Sequence, residues 1–408
     1  MFFTDELEFT KHGYYQVNNI KTLSKFEALR FSGNDIGQIR FVYNEDVMDQ
    51  QDWTVEPTED IYELYAERAR QLRGKYDYLV LLYSGGIDSH TVLTSFLENN
   101  IRLDEICSFT NTQVESTSGK FNQEVFNAAV PFVNTLDLTK LGTKFRLFDI
   151  SDLVINQFDD EFHFENHHLY NQGVGNNWTN ATRSHLLKSK IQDHMRLTEQ
   201  GKTVCYIWGY DKPLLMFKDN NYYIQFADNS IDLNMRQYVN KKMLAGKFAN
   251  FYDEPFYTCR ELPNITIKQA HLLLKLIKTI SPADPRLQSQ DELPTSGPFV
   301  VHHRAEYFRF LPKKLVDGAI YPRANLLQFS DDKTRTSMIL AAKDTWFIRS
   351  NHHNQHKWLQ HLDNLIKENQ GLFRFKNNKV LQINHMLSKS YCVGKFNPFG
   401  DNNDNNKK

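Results

Sequence analysis

Cysteine is scarce in this chain: Cys107, Cys205, Cys259 and Cys392 are the only four in 408 residues, and none stands at a paired spacing. That excludes a disulfide framework and a cysteine zinc site, and it points to a reducing compartment. No apolar run approaches the length of a membrane span, and the opening Met-Phe-Phe-Thr-Asp-Glu has neither the basic nor the apolar part of a leader. The expectation is a cytoplasmic protein with no membrane contact. Neither sign of charge is in excess, since 48 Lys and Arg against 49 Asp and Glu leave a formal net charge of −1. No global field therefore draws in nucleic acid, and such a partner would need a local basic patch. Also missing is Gly-x-x-x-x-Gly-Lys-Ser/Thr; Gly394-Lys395 is followed by Phe396, which removes the ordinary phosphate loop. What is there, 40% hydrophobic and 24% charged residues, is the composition of a globular chain with room for more than one domain.

The most informative stretch is residues 78–97. Leu79 to Leu82 form a short apolar run suited to a strand buried on both faces of a parallel sheet, and Gly85-Gly86 end it. Val92, Leu93, Phe96 and Leu97 then recur at helical spacing. A strand feeding a helix through such a turn leaves the first N–H groups of the helix unpaired, with the positive end of its dipole behind them. This is an anion site, and the hydroxyls of Ser84 and Ser89 add donors suited to a polyphosphate. Asp88 would repel a bare anion, so its place beside the turn implies a cation between carboxylate and phosphate, with Mg²⁺ the natural choice.

The hexapeptide Ser84-Gly85-Gly86-Ile87-Asp88-Ser89 resembles the Ser-Gly-Gly-x-Asp-Ser signature of the PP-loop ATP pyrophosphatases, the adenine nucleotide α-hydrolase-like group. Asparagine synthetase, 7-cyano-7-deazaguanine synthase and tRNA lysidine synthetase are members. The resemblance covers roughly residues 75–230 and leaves the subfamily unassigned. It implies a Rossmann-like, HUP-type domain in which residues 84–89 bind ATP and the end of the next strand, at Thr110, lines the adenosine pocket. It further implies a second glycine and acid motif closing over nucleotide and metal, a place that Gly209 and Asp211 occupy in Gly209-Tyr210-Asp211-Lys212-Pro213. Asp88 and Asp211 are the expected Mg²⁺ ligands, with Lys212 and Arg183 contacting phosphate or leaving group. Neither the Gly-x-Gly-x-Asp-Glu of asparagine synthetase nor the Gly-His-x-x-Asp-Asp of lysidine synthetase is present. The glutaminase half of the former is expected to be absent as well, because Phe2 stands where its nucleophilic cysteine would be.

Alternating elements extend the pattern: strands at 105–110 and 144–150 flank a helix at 125–133 interrupted by Pro131, and another strand is expected at 203–208. Such βαβ units predict an α/β fold with a doubly wound parallel sheet and ligand at the carboxyl ends of its strands. Before it, residues 1–57 read as a small α+β prefix with strands at 14–17 and 38–43 around a helix at 24–30. A helix opening at Pro57-Thr58, with Thr58 as N-cap, leads into the central strand. The ATP-binding domain is expected over 58–230, a mixed carboxy-terminal domain over 231–400, and a polar tail over 401–408. Within the first of these, 159–178 has the length of a lid, a helix carrying Arg183 follows it, and 214–218 and 222–226 read as a hairpin.

The reading that follows is an AMP-forming synthetase or ligase. A substrate oxygen is adenylated with release of pyrophosphate and then displaced by a nitrogen nucleophile, on a small molecule, a nucleobase or tRNA. Two alternatives stay open: a sulfur-transfer enzyme using Cys107, and a nucleotide-binding regulatory protein without turnover. A homodimer is left open too.

Overall fold

The structure, a computed structural model, describes residues 7–110, 125–149, 191–209, 213–218, 221–238, 241–242, 246, 249–280, 318–321, 360, 364, 367–368, 373–376, 380–383 and 386–395. β1 (Tyr14–Val17), with alternate residues buried, pairs on both edges and is the middle strand of a small antiparallel sheet, between β2 (Ile20–Thr22) and β3 (Arg40–Val42). The helix α1 (Lys25–Phe31) starts where Ser24 Oγ accepts the Glu27 N–H at 3.3 Å, and a short α2 (Glu45–Met48) follows β3. This prefix is not a separate body. Phe9, Tyr15 and Leu29 share one apolar core with Leu64, Leu81 and Val92. Two buried ion pairs add to that contact, Lys25 Nζ to Asp228 at 2.5 Å and Lys11 Nζ to Glu254 at 2.5 Å.

Next comes α3 (Ile61–Lys75), which begins later than its sequence suggests. Asp60, not Thr58, is the N-cap: its carboxylate accepts from the N–H groups of Tyr62 and Glu63 at 2.7 and 2.8 Å, while Glu63 accepts from Asp60 N–H at 2.9 Å. An acidic cap with Glu three residues on closes two orphan donors at once, which Thr58 is not spaced to do.

The central sheet is built from β4 (Tyr78–Leu82), β5 (Glu105–Thr110), β6 (Lys144–Asp149), β7 (Val204–Trp208) and, beyond a hairpin, β10 (Phe251–Pro255). Every pairing is parallel and the order is β10-β7-β4-β5-β6. Between β4 and β5 runs α4 (Ile87–Leu97), and after β5 a π-helical turn (Val125–Ala129) leads into α5 (Val130–Val133) and α6 (Leu138–Leu141). Pro131 sits in the first turn of α5, where its missing N–H has no intrahelical acceptor to serve. Leu79 and Leu81 point to the layer holding Leu64, Leu72 and Val92 of α3 and α4. Val80 and Leu82 point the other way, to Tyr206, Phe251 and the Met195 and Leu197 side chains of α7 (Gln192–Glu199). With helices on both faces, the fold is a doubly wound α/β sheet.

The expected hairpin is present as β8 (Leu214–Lys218) and β9 (Asn221–Gln225). It is followed by α8 (Ile231–Tyr238), β10 and the amphipathic α9 (Asn264–Ile280). A second hairpin pairs β11 (Phe373–Lys376) with β12 (Val380–Ile383), and β13 (Tyr391–Lys395) adds to β9 as a third antiparallel strand. The boundary expected at residue 230 does not coincide with a sheet edge: β10 belongs to the central sheet, and β13 to the hairpin's. No helix among the described residues is long and apolar enough to cross a membrane.

Candidate functional site

From β4 the chain steps outward through β5 to β6, then returns to the other side of β4 as β7. Winding therefore reverses between β4 and β7, and open α/β sheets bind ligands outside the carboxyl ends of their strands at such a point. β4 ends in residues 84–89 and β7 ends in Gly209; the register Leu81↔Ile207 brings the two ends level.

The turn is stitched by its own hydroxyls. Ser84 Oγ accepts the Gly86 N–H at 3.2 Å, Ser89 Oγ accepts the Ser84 N–H at 3.2 Å and donates to Gly86 O at 3.1 Å, and the two hydroxyls lie 3.1 Å apart. Gly85 has φ +82°, a left-handed conformation that any other residue enters with strain. Gly86 is the N-cap of α4 and provides no capping side chain, so the first N–H groups of that helix are directed at the crevice with the dipole behind them. Gly209 is required by contact: a Cβ there would lie 2.9 Å from Ser89 Cα and 3.0 Å from Ser89 N. The end of β7 thus packs against the first turn of α4.

Ser84, Gly85, Gly86, Ile87, Asp88, Ser89 and Gly209 are accordingly brought together. Thr110, buried and in register with Asp149, ends β5 on the opposite side of β4 from Gly209. Asp211, Lys212 and Arg183 lie outside the described residues, as does the stretch 159–178. Among the described residues, no three His, Cys, Asp or Glu side chains gather as a metal cluster.

Several contributors have no signal in the motif. Asp88, 7% exposed, lies beside a group of buried phenols from three distant places, Tyr65 of α3, Tyr257 just after β10, and Tyr321. Tyr257 donates its hydroxyl to the Asp88 main-chain oxygen at 2.5 Å, and its ring stands 5.4 Å from Tyr65 and 5.3 Å from Tyr321. Burial pushes all three phenols well above their ordinary range, and the negative charge of Asp88 adds to the shift in each. One residue beyond the hexapeptide, His90 is buried with Nδ1 3.0 Å from the Tyr83 hydroxyl and its ring edge-on to Phe132 at 4.6 Å. Burial lowers it to about 4, so it is neutral at neutral pH and adds no charge to the anion site. Its position directly after Ser89 was the available clue.

Trp208, the residue before Gly209, is held by a second group of charges. Its Nε1 donates to Asp253 at 2.8 Å, and the Arg236 guanidinium stacks over its ring at 4.7 Å, within 3.6 Å of Asp253 and 3.7 Å of Asp232. Burial raises Asp232 to about 7, against the opposing charge of Arg236. This cluster steadies the strand end that carries Gly209. Cys107 is a core residue instead. It is wholly buried within β5 and burial pushes its thiol far up, which suppresses the thiolate that sulfur chemistry needs. A cavity of about 280 Å³ lies between α3 and α4 rather than in the crevice, with Tyr65 and Thr91 in its wall. In comparisons with known proteins, no family model and no curated protein matches this chain.

Proposed function

We propose that the crevice between β4 and β7 binds ATP, with the leaving pyrophosphate on the turn 84–89, and that the protein transfers AMP to a substrate oxygen in the manner of the PP-loop ATP pyrophosphatases. The observation that carries this reading is the junction of the hydroxyl-stitched glycine turn with Gly209 at the reversal point of a parallel sheet. A helix start with its dipole, free N–H groups and close backbone approach favours a polyphosphate over a neutral ligand. Asp88 suits a hard cation, being a carboxylate in the first turn of α4 beside the phosphate turn. With Asp211 it would hold Mg²⁺, which neutralises charge on the phosphates when bound.

The chain's own groups act by position. Main-chain N–H groups of residues 87–89 and the Ser84 hydroxyl receive charge as it develops on the departing pyrophosphate, where preorganised donors have most effect. Thr110 lines the adenosine side, while Lys212 and Arg183 contact the phosphates. An attacking substrate oxygen displaces pyrophosphate in line from the α-phosphorus. A nitrogen nucleophile then attacks the carbon that bears the adenylated oxygen; the C–N bond forms as the C–O bond breaks, and AMP leaves with that oxygen. A sulfur-transfer enzyme is disfavoured by the burial and raised thiol of Cys107. The test is incubation with Mg²⁺ and ATP labelled at the α-phosphate, alone and with small-molecule and RNA extracts. AMP and pyrophosphate are expected to form and to disappear in Asp88→Ala. ADP as product would overturn the reading, and tight binding without product under every extract would favour a regulatory protein.

A further inference from the structure

In the cavity of about 280 Å³ between α3 and α4, the polar groups of the wall have spent their protons. Thr94 Oγ1 shares its proton between His90 O and Thr91 O, each at 3.1 Å, Ser95 Oγ donates to Thr91 O at 2.6 Å, and Asn99 Nδ2 donates to Ser95 O at 2.9 Å. What these side chains keep for the cavity is oxygen lone pairs. Tyr65 gives its hydroxyl proton to Ile320 O at 2.8 Å and accepts from Gln269 Nε2 at 2.9 Å, so it offers mainly its ring. Two carboxylates, Glu63 of α3 and Glu98 at the end of α4, stand in the same wall, while Arg70, its cation, meets Glu67 Oε2 at 3.0 Å. Both carboxylates are exposed whereas Thr94 and Ser95 are buried, so the wall grades from a charged mouth to a floor of hydroxyl oxygens. The last turn of α4 adds the negative end of its dipole.

Such a wall fits a ligand that donates hydrogen bonds and is positively charged. An anion would meet lone pairs and carboxylates, and an apolar ligand would cut the hydroxyl oxygens off from water. The volume lies just below the roughly 300 Å³ at which pockets for drug-sized ligands begin, which suits a short aliphatic chain. We propose that the cavity binds a short aliphatic diamine in its ammonium form, with its N–H groups donated to the Thr94 and Ser95 oxygens, its charge matched by Glu63 and Glu98, and the Tyr65 ring beside it. The wall follows α4 from Thr91 to Asn99, away from the phosphate turn, so this ligand is not the reacting nitrogen. The inference stands apart from the ATP reading. Bound there, the diamine ties α3 to α4.

The experiment is calorimetric titration of the full-length protein with 1,4-diaminobutane at fixed ionic strength, with 1,4-butanediol as an uncharged probe of the same length. The diamine should bind at one site and the diol at least about tenfold more weakly, since it forfeits the charge-assisted bonds. The melting temperature should rise with diamine concentration, by mass action, and not with the diol. Ser95→Ala should weaken the diamine at least about tenfold, the effect of losing one hydrogen bond to a charged group. Glu98→Gln should weaken it about threefold, as for an exposed ion pair, while Glu199→Gln, an exposed carboxylate of α7 on the other face of the sheet, should leave it unaltered. Melting curves establish that each variant is folded; if Ser95→Ala is not, Glu98→Gln at its exposed position decides. Absence of diamine binding overturns the proposal, and so does equal affinity for the diol. Equal losses in Glu98→Gln and Glu199→Gln overturn it as well, because they would mark a general attraction of a dication to acidic surface.

Discussion

Two buried histidines, each beside a tyrosine, show how differently the two ends of the central sheet are built. His194 of α7 lies over the start of β5 with both ring nitrogens engaged, Nδ1 with the Tyr206 hydroxyl at 2.7 Å and Nε2 with Glu105 at 3.1 Å; Glu105 in turn receives Arg146 Nε at 2.6 Å. His90, at the carboxyl rim, has Tyr83 on Nδ1, and its Nε2 has no partner among the described residues. A carboxylate, a histidine and a tyrosine in line invite a catalytic reading, yet the set around His194 is closed on itself at the end of the sheet away from the crevice. A fully satisfied buried network rigidifies, whereas a buried ring with one nitrogen unpaired is held mainly by packing. The first pins α7 to the sheet; the second packs the first turns of α4 against Tyr83 and Phe132.

The comparison breaks most severely at Glu105. Its replacement by Gln removes the acceptor for Arg146 and a charged partner for His194, and should cost about 3 kcal/mol of stability. Product formed per folded molecule should stay at the wild-type level, as read by urea denaturation alongside an AMP-release assay. Asp88→Ala should behave in the opposite way, with AMP formation falling at least about a hundredfold while the urea midpoint moves less than in Glu105→Gln. Between them lies Gly209→Ala, whose new Cβ would meet the Ser89 backbone. It should cost about 1–3 kcal/mol and weaken ATP binding as well, because strand end and phosphate turn move together.

Acid titration sharpens the same contrast. Glu105 is opposed by burial but held down to about 2 by hydrogen bonds from His194 and Arg146, against an ordinary 4.5. A carboxylate depressed in the folded state stabilises above its ordinary value and loses that contribution as pH falls toward its folded value. Wild type should therefore lose more stability than Glu105→Gln between about 4.5 and about 2. His90 acts in a higher window: burial lowers it from 6.5 to about 4, so in that range the unfolded chain takes up a proton that the native one does not. Stability falls as pH drops through the window, and His90→Phe should flatten that part of the denaturation profile. The smallest change is expected for Cys107→Ser, in which AMP formation should be unaltered and only core packing disturbed, a direct check against sulfur chemistry.

Local chemistry was legible where the residues deciding an element are neighbours in sequence. The apolar run at Leu79 to Leu82, the glycine pair and the helical spacing of Val92, Leu93 and Phe96 determined a strand, a turn and a helix, and β1, β5, β6, β7 and the β8–β9 hairpin were read on the same grounds. The N-cap of α3 was misplaced because Thr58 and Asp60 are both good caps and only the reciprocal bond with Glu63 separates them. Strand β10 escaped notice because Phe251–Pro255 mixes Asp253 and Glu254 into a strand whose acids are matched by Arg236, Arg68 and Lys11 from elsewhere; without those partners the segment reads as a polar loop.

By itself, then, the sequence determined that a phosphate-type turn follows a buried strand, since the glycines, serines and flanking periodicities are consecutive. Only the tertiary structure decided that Gly209 is glycine because Ser89 leaves no room for a Cβ, that β10 and not the hairpin completes the sheet, and that Tyr257 and Tyr321 surround Asp88. Each of those depends on contacts between residues far apart in the chain, set by strand order and by which face of a helix is buried. Neither leaves a periodicity in the residues that make it.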